Sequence, residues 1–142
     1  MIEAGFPASS IDEKETVRTI ASEKAGAKIC GLARSIRTDV DTCIDCDVDM
    51  VHVFIPTSEI QRTHTIRKSH EEVLEITSDI VAYTRDHIGE VMFSAMDATR
   101  TAPNDLIEVY RAAVDAGATI INVPDTVGIA TPMTMHSLVR FI

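Results

Sequence analysis

The sequence lacks the features that mark nucleic-acid-binding and membrane proteins. Its 13 lysines and arginines stand against 22 aspartates and glutamates, and the net charge of −9 leaves no basic excess for a nucleic acid or an anionic membrane. Tryptophan is absent, and four phenylalanines and two tyrosines offer little surface for stacking bases. No run approaches the roughly 20 apolar residues of a membrane span, and the N-terminus has no signal-peptide pattern. We therefore predict a cytoplasmic protein with no nucleic-acid or membrane partner.

Cysteine is scarce, and three residues cannot form a disulfide framework without leaving one over. Cys43 and Cys46 form a Cys-x-x-Cys pair, which is typical of half a zinc site or of a redox pair. Zinc would need two more ligands at matching spacing, and the sequence has no second such pair and no His-x-x-x-His. A redox pair would open a helix, whereas this pair closes a predicted one. We predict that the two cysteines are structural and bind no zinc.

A glycine-rich phosphate turn is also missing, because Gly5 and Gly31 stand alone after their apolar runs. The runs themselves cover residues 1–4, 28–33, 51–55, 91–93 and 120–123. Strands that alternate with helices in this way form a parallel sheet, and without a phosphate turn barrel units are a better interpretation than a doubly wound sheet. A closed (β/α)8 barrel needs eight strands. We predict an α/β fold in which residues 1–142 are one domain, five consecutive βα units of a TIM barrel that is incomplete at both ends.

Capping signals and apolar spacing predict a helix after each strand. The predicted helices run from Ser10 or Asp12 to Gly26, from Arg37 to Ile44, from Ser69 to His87, from Pro103 to Ala116, and from Thr131 onward.

Polar residues follow nearly every apolar run, at the point where the strand would end. In a TIM barrel the loops at the carboxyl ends of the strands build the active site. The sequence therefore predicts a catalytic face on which His52, Ser94, Met96 and Thr126 converge.

Four motifs, taken together and in order, resemble the catalytic barrel of the 2-isopropylmalate, homocitrate and citramalate synthase family. They are IEAGFP at residues 2–7, HVFIPTS at 52–58, FSAMDATR at 93–100 and NVPDTVG at 122–128, followed by Thr131-Pro132. The resemblance covers essentially the whole chain. It implies that the chain corresponds to barrel strands two to six of the family.

The resemblance implies an acyltransferase of amino-acid biosynthesis. Acetyl-CoA is deprotonated at its methyl carbon and adds to the ketone of a 2-oxo acid, after which the thioester is hydrolysed. It favours 2-oxoisovalerate as the 2-oxo acid, as in leucine biosynthesis, with citramalate or homocitrate synthesis as alternatives. It also implies a divalent metal (Mg, Mn or Zn) acting as a Lewis acid and a homodimer for the complete enzyme. The alternative from another class is a non-catalytic barrel fragment or interaction module.

The family pattern assigns roles to eight residues. His52 and Ser94 would be catalytic at the 2-oxo acid pocket, and Thr126 would bind the substrate carboxylate. The remaining substrate-binding positions would be Glu3, Met96, Asp97, Arg100 and Pro124. The family's metal ligands lie in an Arg-Asp-Gly motif and a His-x-His pair, which this sequence does not contain, so we expect no metal ligand and no synthase activity from residues 1–142 alone.

Each of these residues also has a purely structural interpretation. His52 could be a hydrogen-bonded core residue, and Arg100 with Asp97 could be a local ion pair. Asp125 could simply hold a turn, and the Ser94 and Thr126 hydroxyls could bond nearby backbone.

Met96 departs from the family pattern, in which Glu-Asp follows Phe-Ser-x. Strand alternation places Met96 on the same face as Ser94, so a thioether replaces a pocket carboxylate. We predict that Met96 tunes the choice of 2-oxo acid and does not support the fold.

Overall fold

Five parallel strands lie side by side in the order in which they occur along the chain. The computed structural model describes residues 1–23 and 26–142, and its strands are β1 (Ile2–Gly5), β2 (Ile29–Arg34), β3 (Met50–Pro56), β4 (Val91–Met96) and β5 (Ile120–Asn122). The sheet order is β1-β2-β3-β4-β5, so each helical connection leads to the neighbouring strand. This is the strand order of a βα barrel, and it confirms the predicted α/β fold of five consecutive βα units.

Three of the described helices begin directly after a capping residue that the sequence indicates, which is Ser10, Ser69 or Thr131. The helices are α1 (Ile11–Ser22), α2 (Arg37–Ile44), α3 (Glu59–Gln61), α4 (His70–Ile88), α5 (Pro103–Asp115) and α6 (Pro132–Phe141). The predicted capping box of α4 forms, because Ser69 and Glu72 each accept the backbone N–H of the other. Residues 24 and 25, which the prediction placed in the last turn of the first helix, lie outside the described residues. None of the described helices is both long and apolar enough to cross a membrane.

Alternation along the strands gives the sheet two different faces. On the outer face Phe93 is fully buried, and its ring meets Tyr110 of α5 edge to face with the centroids 6.2 Å apart. The inner face carries a separate buried cluster of Cys30, Met50 and Met92 near the middle of the sheet. Further along the same strands, toward their carboxyl ends, the inner face becomes polar.

Strand register brings these inner-face residues level with one another. Leu32 pairs with His52, Phe54 with Ser94, and Ser94 with Asn122. Because the strands are parallel, their carboxyl ends meet at the same edge of the sheet. Polar residues that are far apart in sequence therefore converge at that edge.

Cys43 and Cys46 are buried packing residues at the end of α2. Their thiols lie 3.5 Å from the backbone carbonyl oxygens of Leu32 and Lys14. Gly31 lets α2 approach the sheet, because a Cβ at that position would lie 2.9 Å from the Cys43 sulfur. Burial raises the pKa of Cys43 to about 12, which disfavours the thiolate that zinc and redox chemistry need.

We predict that protein purified without chelator contains no stoichiometric zinc. Because the Cys43 thiolate is disfavoured, a thiol reagent should also modify this residue slowly at pH 8 in the folded protein and rapidly after unfolding in urea. Metal analysis of the wild type and of Cys46→Ser, beside timed thiol labelling, provides the measurement. One zinc per chain that disappears in Cys46→Ser would contradict the prediction.

Candidate active site

A cavity of about 230 Å³ lies at the carboxyl ends of the strands on the inner face, and we call it the strand-end cavity. All five strands contribute to its lining. Its walls are Glu3, Leu32, His52, Phe54, Ser94, Met96, Asn122, Pro124 and Thr126. The structure thus brings together His52, Ser94, Met96 and Thr126, as the sequence predicts, with Glu3 and Pro124 beside them.

One wall of the cavity is a continuous chain of hydrogen-bonded side chains. Glu3 contacts Nδ1 of His52 through a carboxylate oxygen. On the other side of the imidazole, Nε2 lies 2.6 Å from the Ser94 hydroxyl oxygen. The Asn122 amide nitrogen lies 2.8 Å from the same oxygen. His52 is only 8% exposed, so its ring is held between these partners and not in open solvent.

Apolar side chains lie among these polar ones. They are Leu32, Phe54, Met96 and Pro124, and strand pairing places Leu32 beside His52 and Phe54 beside Ser94. Within the described ranges no lysine or arginine lines the cavity. The cavity therefore offers both hydrogen bonds and apolar contact, a combination suited to a small ligand with one polar end.

Thr126 completes the polar wall from the loop after β5. Its hydroxyl oxygen accepts the backbone N–H of Asp97 at 2.9 Å. That bond uses a lone pair and leaves the hydroxyl proton available, since the described residues provide no acceptor for it. Thr126 can therefore donate a hydrogen bond to a ligand in the cavity.

Asp97 and Arg100 do not line the strand-end cavity, although the family pattern assigns them to substrate binding. Asp97 has a left-handed backbone conformation, with φ at 69°, which turns the chain away from the cavity after β4. Its buried carboxylate accepts two bonds from Arg100, with Nε 2.8 Å from Oδ1 and Nη2 2.7 Å from Oδ2. Ser58 donates a further bond at 2.5 Å. Arg100 borders a neighbouring cavity of about 420 Å³ instead.

The electrostatics of Asp97 follow from these partners. Burial acts to raise the pKa of its carboxyl, but the hydrogen bonds from Arg100 and Ser58 outweigh burial and leave that pKa below its ordinary value. Asp97 is therefore ionised, and its carboxylate ties the turn after β4 to Ser58, which follows β3.

Asp125 holds the loop after β5, in agreement with the structural interpretation of this residue as one that holds a turn. Its carboxylate accepts the N–H groups of Ile129 at 3.2 Å and Ala130 at 2.9 Å. The Thr99 hydroxyl donates to it at 2.9 Å, which ties the loop to the turn after β4. The bond from Ala130 is the main reason why the pKa of Asp125 is lowered.

Sequence reasoning missed three lining residues: Leu32, Phe54 and Asn122. Leu32 and Phe54 lie inside apolar runs and give no signal. Asn122 does give one, because an amide in the middle of an apolar strand needs a partner. Its place two residues before Pro124 puts both on the inner face.

A divalent metal implied by the resemblance does not fit the residues described here. Across residues 1–23 and 26–142, no group of three or more histidine, cysteine, aspartate or glutamate side chains could hold a metal ion. Glu3 and His52 are the titratable residues of the cavity, and they are engaged with each other. These residues do not form a metal centre by themselves.

Comparison of the sequence with known proteins identifies related chains. The family model described as HMGL-like matches residues 1–142. The 2-isopropylmalate synthase of Methanocaldococcus jannaschii is 52% identical over 140 residues, which is 99% of this chain and 27% of that protein. A probable 2-isopropylmalate synthase of Methanosarcina mazei is 50% identical over all 142 residues, 28% of its own length. A homocitrate synthase of Methanopyrus kandleri is 49% identical over 141 residues, 99% of this chain and 36% of its own length.

Two solved structures share the fold. Hydroxymethylglutaryl-CoA lyase of Pseudomonas aeruginosa superposes with a TM-score of 0.76 at 19% identity, covering 97% of this chain and 49% of that one. The HMG-CoA lyase of Bacillus subtilis gives 0.75 at 17% identity, covering 91% and 45%. At these identities the similarity concerns the fold alone. The chain thus spans roughly a quarter to a third of the curated relatives it matches and about half of the structural ones.

Proposed function

Because the chain belongs to the HMGL-like family, with relatives at about 50% identity named 2-isopropylmalate synthase, we propose that it is the substrate-binding arc of such a synthase. The reaction is a Claisen condensation of acetyl-CoA with a 2-oxo acid, and 2-oxoisovalerate is the preferred acceptor. The complete enzyme is then a homodimeric acyltransferase of leucine biosynthesis.

The combination of hydrogen-bonding and apolar side chains in the strand-end cavity carries this proposal. Thr126 and Ser94 donate to the substrate carboxylate, while the ketone lies beside His52. The alkyl group of the 2-oxo acid packs on Leu32, Phe54 and Met96. No described lysine or arginine lines the cavity, so a second carboxylate at the far end of the substrate would have no cationic partner. This favours 2-oxoisovalerate over the dicarboxylic acid that a homocitrate synthase uses.

His52 is the residue that moves a proton in this arrangement. Glu3 holds the imidazole in place through Nδ1, and the second ring nitrogen faces Ser94 and the cavity. With Met96 at the position of the family's glutamate, His52 and Glu3 are the only titratable lining groups in the described part of the chain. Enzymes of this family generally use a divalent metal as a Lewis acid, and no step is assigned to it because its ligands are not among these residues.

Thiol release tests the proposal in a complete barrel. Residues 1–142 replace the matching segment of the Methanocaldococcus jannaschii 2-isopropylmalate synthase, and we call the product the grafted synthase. Free CoA thiol is followed with 2-oxoisovalerate, pyruvate or 2-oxoglutarate, with the parent enzyme and the isolated chain as controls. We expect turnover with 2-oxoisovalerate in the graft and none from the isolated chain. Turnover only with 2-oxoglutarate would favour a homocitrate synthase, and a folded but inert graft would favour the non-catalytic alternative.

Met96→Glu is expected to be tolerated in the grafted synthase and to change substrate preference. Met96 is half-buried beside the open cavity, so a carboxylate there keeps contact with water. The melting temperature should fall by less than about 10 °C, the range that 1–2 kcal/mol produces in a barrel of this size. Met92→Glu is the matched control. Met92 is 7% exposed within the buried inner-face cluster, so its replacement should lower the melting temperature far more. A larger loss for Met96→Glu than for Met92→Glu would place Met96 in the sealed core.

A further inference from the structure

The directions of the hydrogen bonds on the polar wall follow from chemistry alone. An ionised Glu3 can only accept, so the His52 nitrogen beside it, Nδ1, carries the proton. A neutral imidazole has one N–H, which makes Nε2 an acceptor. The Ser94 hydroxyl must then donate to Nε2, and the Asn122 amide must donate to the Ser94 oxygen. Neutral His52 therefore fixes the direction of every bond in the chain.

The direction of these hydrogen bonds determines whether the Ser94 hydroxyl presents a lone pair or a proton to the cavity. With its proton turned to His52 and one lone pair taken by Asn122, the hydroxyl presents only a lone pair to a ligand. A lone pair repels a carboxylate oxygen. When His52 is protonated, Nε2 becomes a donor, and the Ser94 oxygen accepts from both His52 and Asn122. The hydroxyl proton is then free to turn into the cavity and donate.

We propose that Asn122 is a positioning residue that makes Ser94 a two-state switch, so that a carboxylate ligand enters the strand-end cavity with uptake of a proton at His52. The Asn122 amide donates to the Ser94 oxygen, so the hydroxyl proton cannot point toward Asn122 and must point either to His52 or into the cavity. The ligand identity, an anionic 2-oxo acid, rests on the proposed function. Binding of the carboxylate and protonation of His52 therefore favour each other.

The groups that face His52 allow the proton to remain on its ring. β1 contributes Glu3, whose carboxylate contacts Nδ1. β2 contributes Cys30, which stays neutral because burial raises its pKa to about 12. β4 contributes Met92 and Ser94, which do not titrate in this range. No cationic side chain of the described residues lines the cavity to oppose protonation.

Nitrogen-15 spectra of the histidine ring in the 142-residue protein test the switch without any catalytic assay. The neutral ring of His52 should be the Nδ1–H tautomer. Saturating 2-oxoisovalerate should raise the midpoint of its titration, and 3-methyl-2-butanone, which has the ketone but no carboxylate, should not. Ser94→Ala should abolish the ligand-induced rise, since the hydroxyl links the ligand to His52.

Asn122→Asp changes a donor into an acceptor with almost no change of shape. The Ser94 proton should then turn to the new carboxylate, and the His52 midpoint should be higher than in the wild type without ligand, because a nearby carboxylate favours the charged imidazole. Asn104→Asp, which adds the same charge at an exposed position of α5, is the matched control and should leave the midpoint unchanged.

Three results would overturn the switch. The first is an Nε2–H tautomer of neutral His52, and the second is a His52 titration midpoint that does not change when 2-oxoisovalerate binds. The third is an equal midpoint in Asn122→Asp and Asn104→Asp. If 2-oxoisovalerate shifts no resonance of the cavity residues, the proposed function fails at this site. The comparison of Asn122→Asp with Asn104→Asp then still decides whether Asn122 controls Ser94 and His52.

Discussion

Replacing His52 with alanine in the grafted synthase is expected to lower kcat/KM for the 2-oxo acid by about 10²–10³-fold, the range for a lost acid–base group or an oriented donor. The change removes the group that moves a proton and also leaves Glu3 and Ser94 without their common partner. Because residue 52 faces the cavity, the melting temperature of the variant should stay close to that of the grafted synthase although its activity falls.

His52→Gln separates proton transfer from hydrogen bonding. A glutamine amide can still bond Ser94 but cannot take up a proton, so its activity should stay close to that of His52→Ala. His64→Ala is the matched control, because His64 is exposed and lies outside the cavity. Activity of His52→Ala within about tenfold of wild type, a loss of about 1.4 kcal/mol at most, would remove His52 from the mechanism.

Asp97→Ala is expected to destabilise the grafted synthase by about 2–4 kcal/mol, which lowers the melting temperature by about 5–15 °C. The side chain of Asp97 is fully buried, and its loss leaves the Ser58 hydroxyl and the Arg100 guanidinium without their acceptor. The estimate lies at the lower end of the range for buried pairs because the Arg100 side chain is 33% exposed and regains water. Asp79→Ala, at an exposed position of α4, is the control and should change the melting temperature little.

The Asp97 contribution should also depend on pH with a definite sign. Its folded pKa is below the ordinary value, so the unfolded chain binds the proton more readily. The stabilisation is then fully present above the ordinary aspartate value of about 3.9 and is lost as the pH falls through the lower folded pKa. The difference in melting temperature between wild type and Asp97→Asn should shrink in that acid range. A difference that stays constant would show that ionisation of Asp97 does not contribute.

Local signals in the sequence were sufficient for the strands and for most helix boundaries. The helix α2 runs from Arg37 to Ile44 as predicted, and Ser69 caps α4. The short helix α3 and the π-helical turn that follows it, Arg62–Ile66, were not predicted. Arg62 in this turn makes a tertiary contact, since its guanidinium donates to the Asp105 carboxylate at 3.4 Å.

The rest of the site depends on register and backbone conformation, which no local pattern encodes. Asn122 joins the polar wall only because β5 pairs Ser94 with Asn122. Asp97 follows a strand as a substrate-binding residue would, but its left-handed conformation directs it to Arg100 and away from the cavity. The motif predicted which residues surround the site and could not predict which of them face it.

A crystal structure of the grafted synthase with 2-oxoisovalerate tests whether the strand-end cavity binds the 2-oxo acid. We expect ligand density in that cavity, with the carboxylate within hydrogen-bond distance of the Thr126 and Ser94 hydroxyls and the alkyl group against Leu32, Phe54 and Met96. Density for the 2-oxo acid at another position, with the strand-end cavity holding only water, would contradict it.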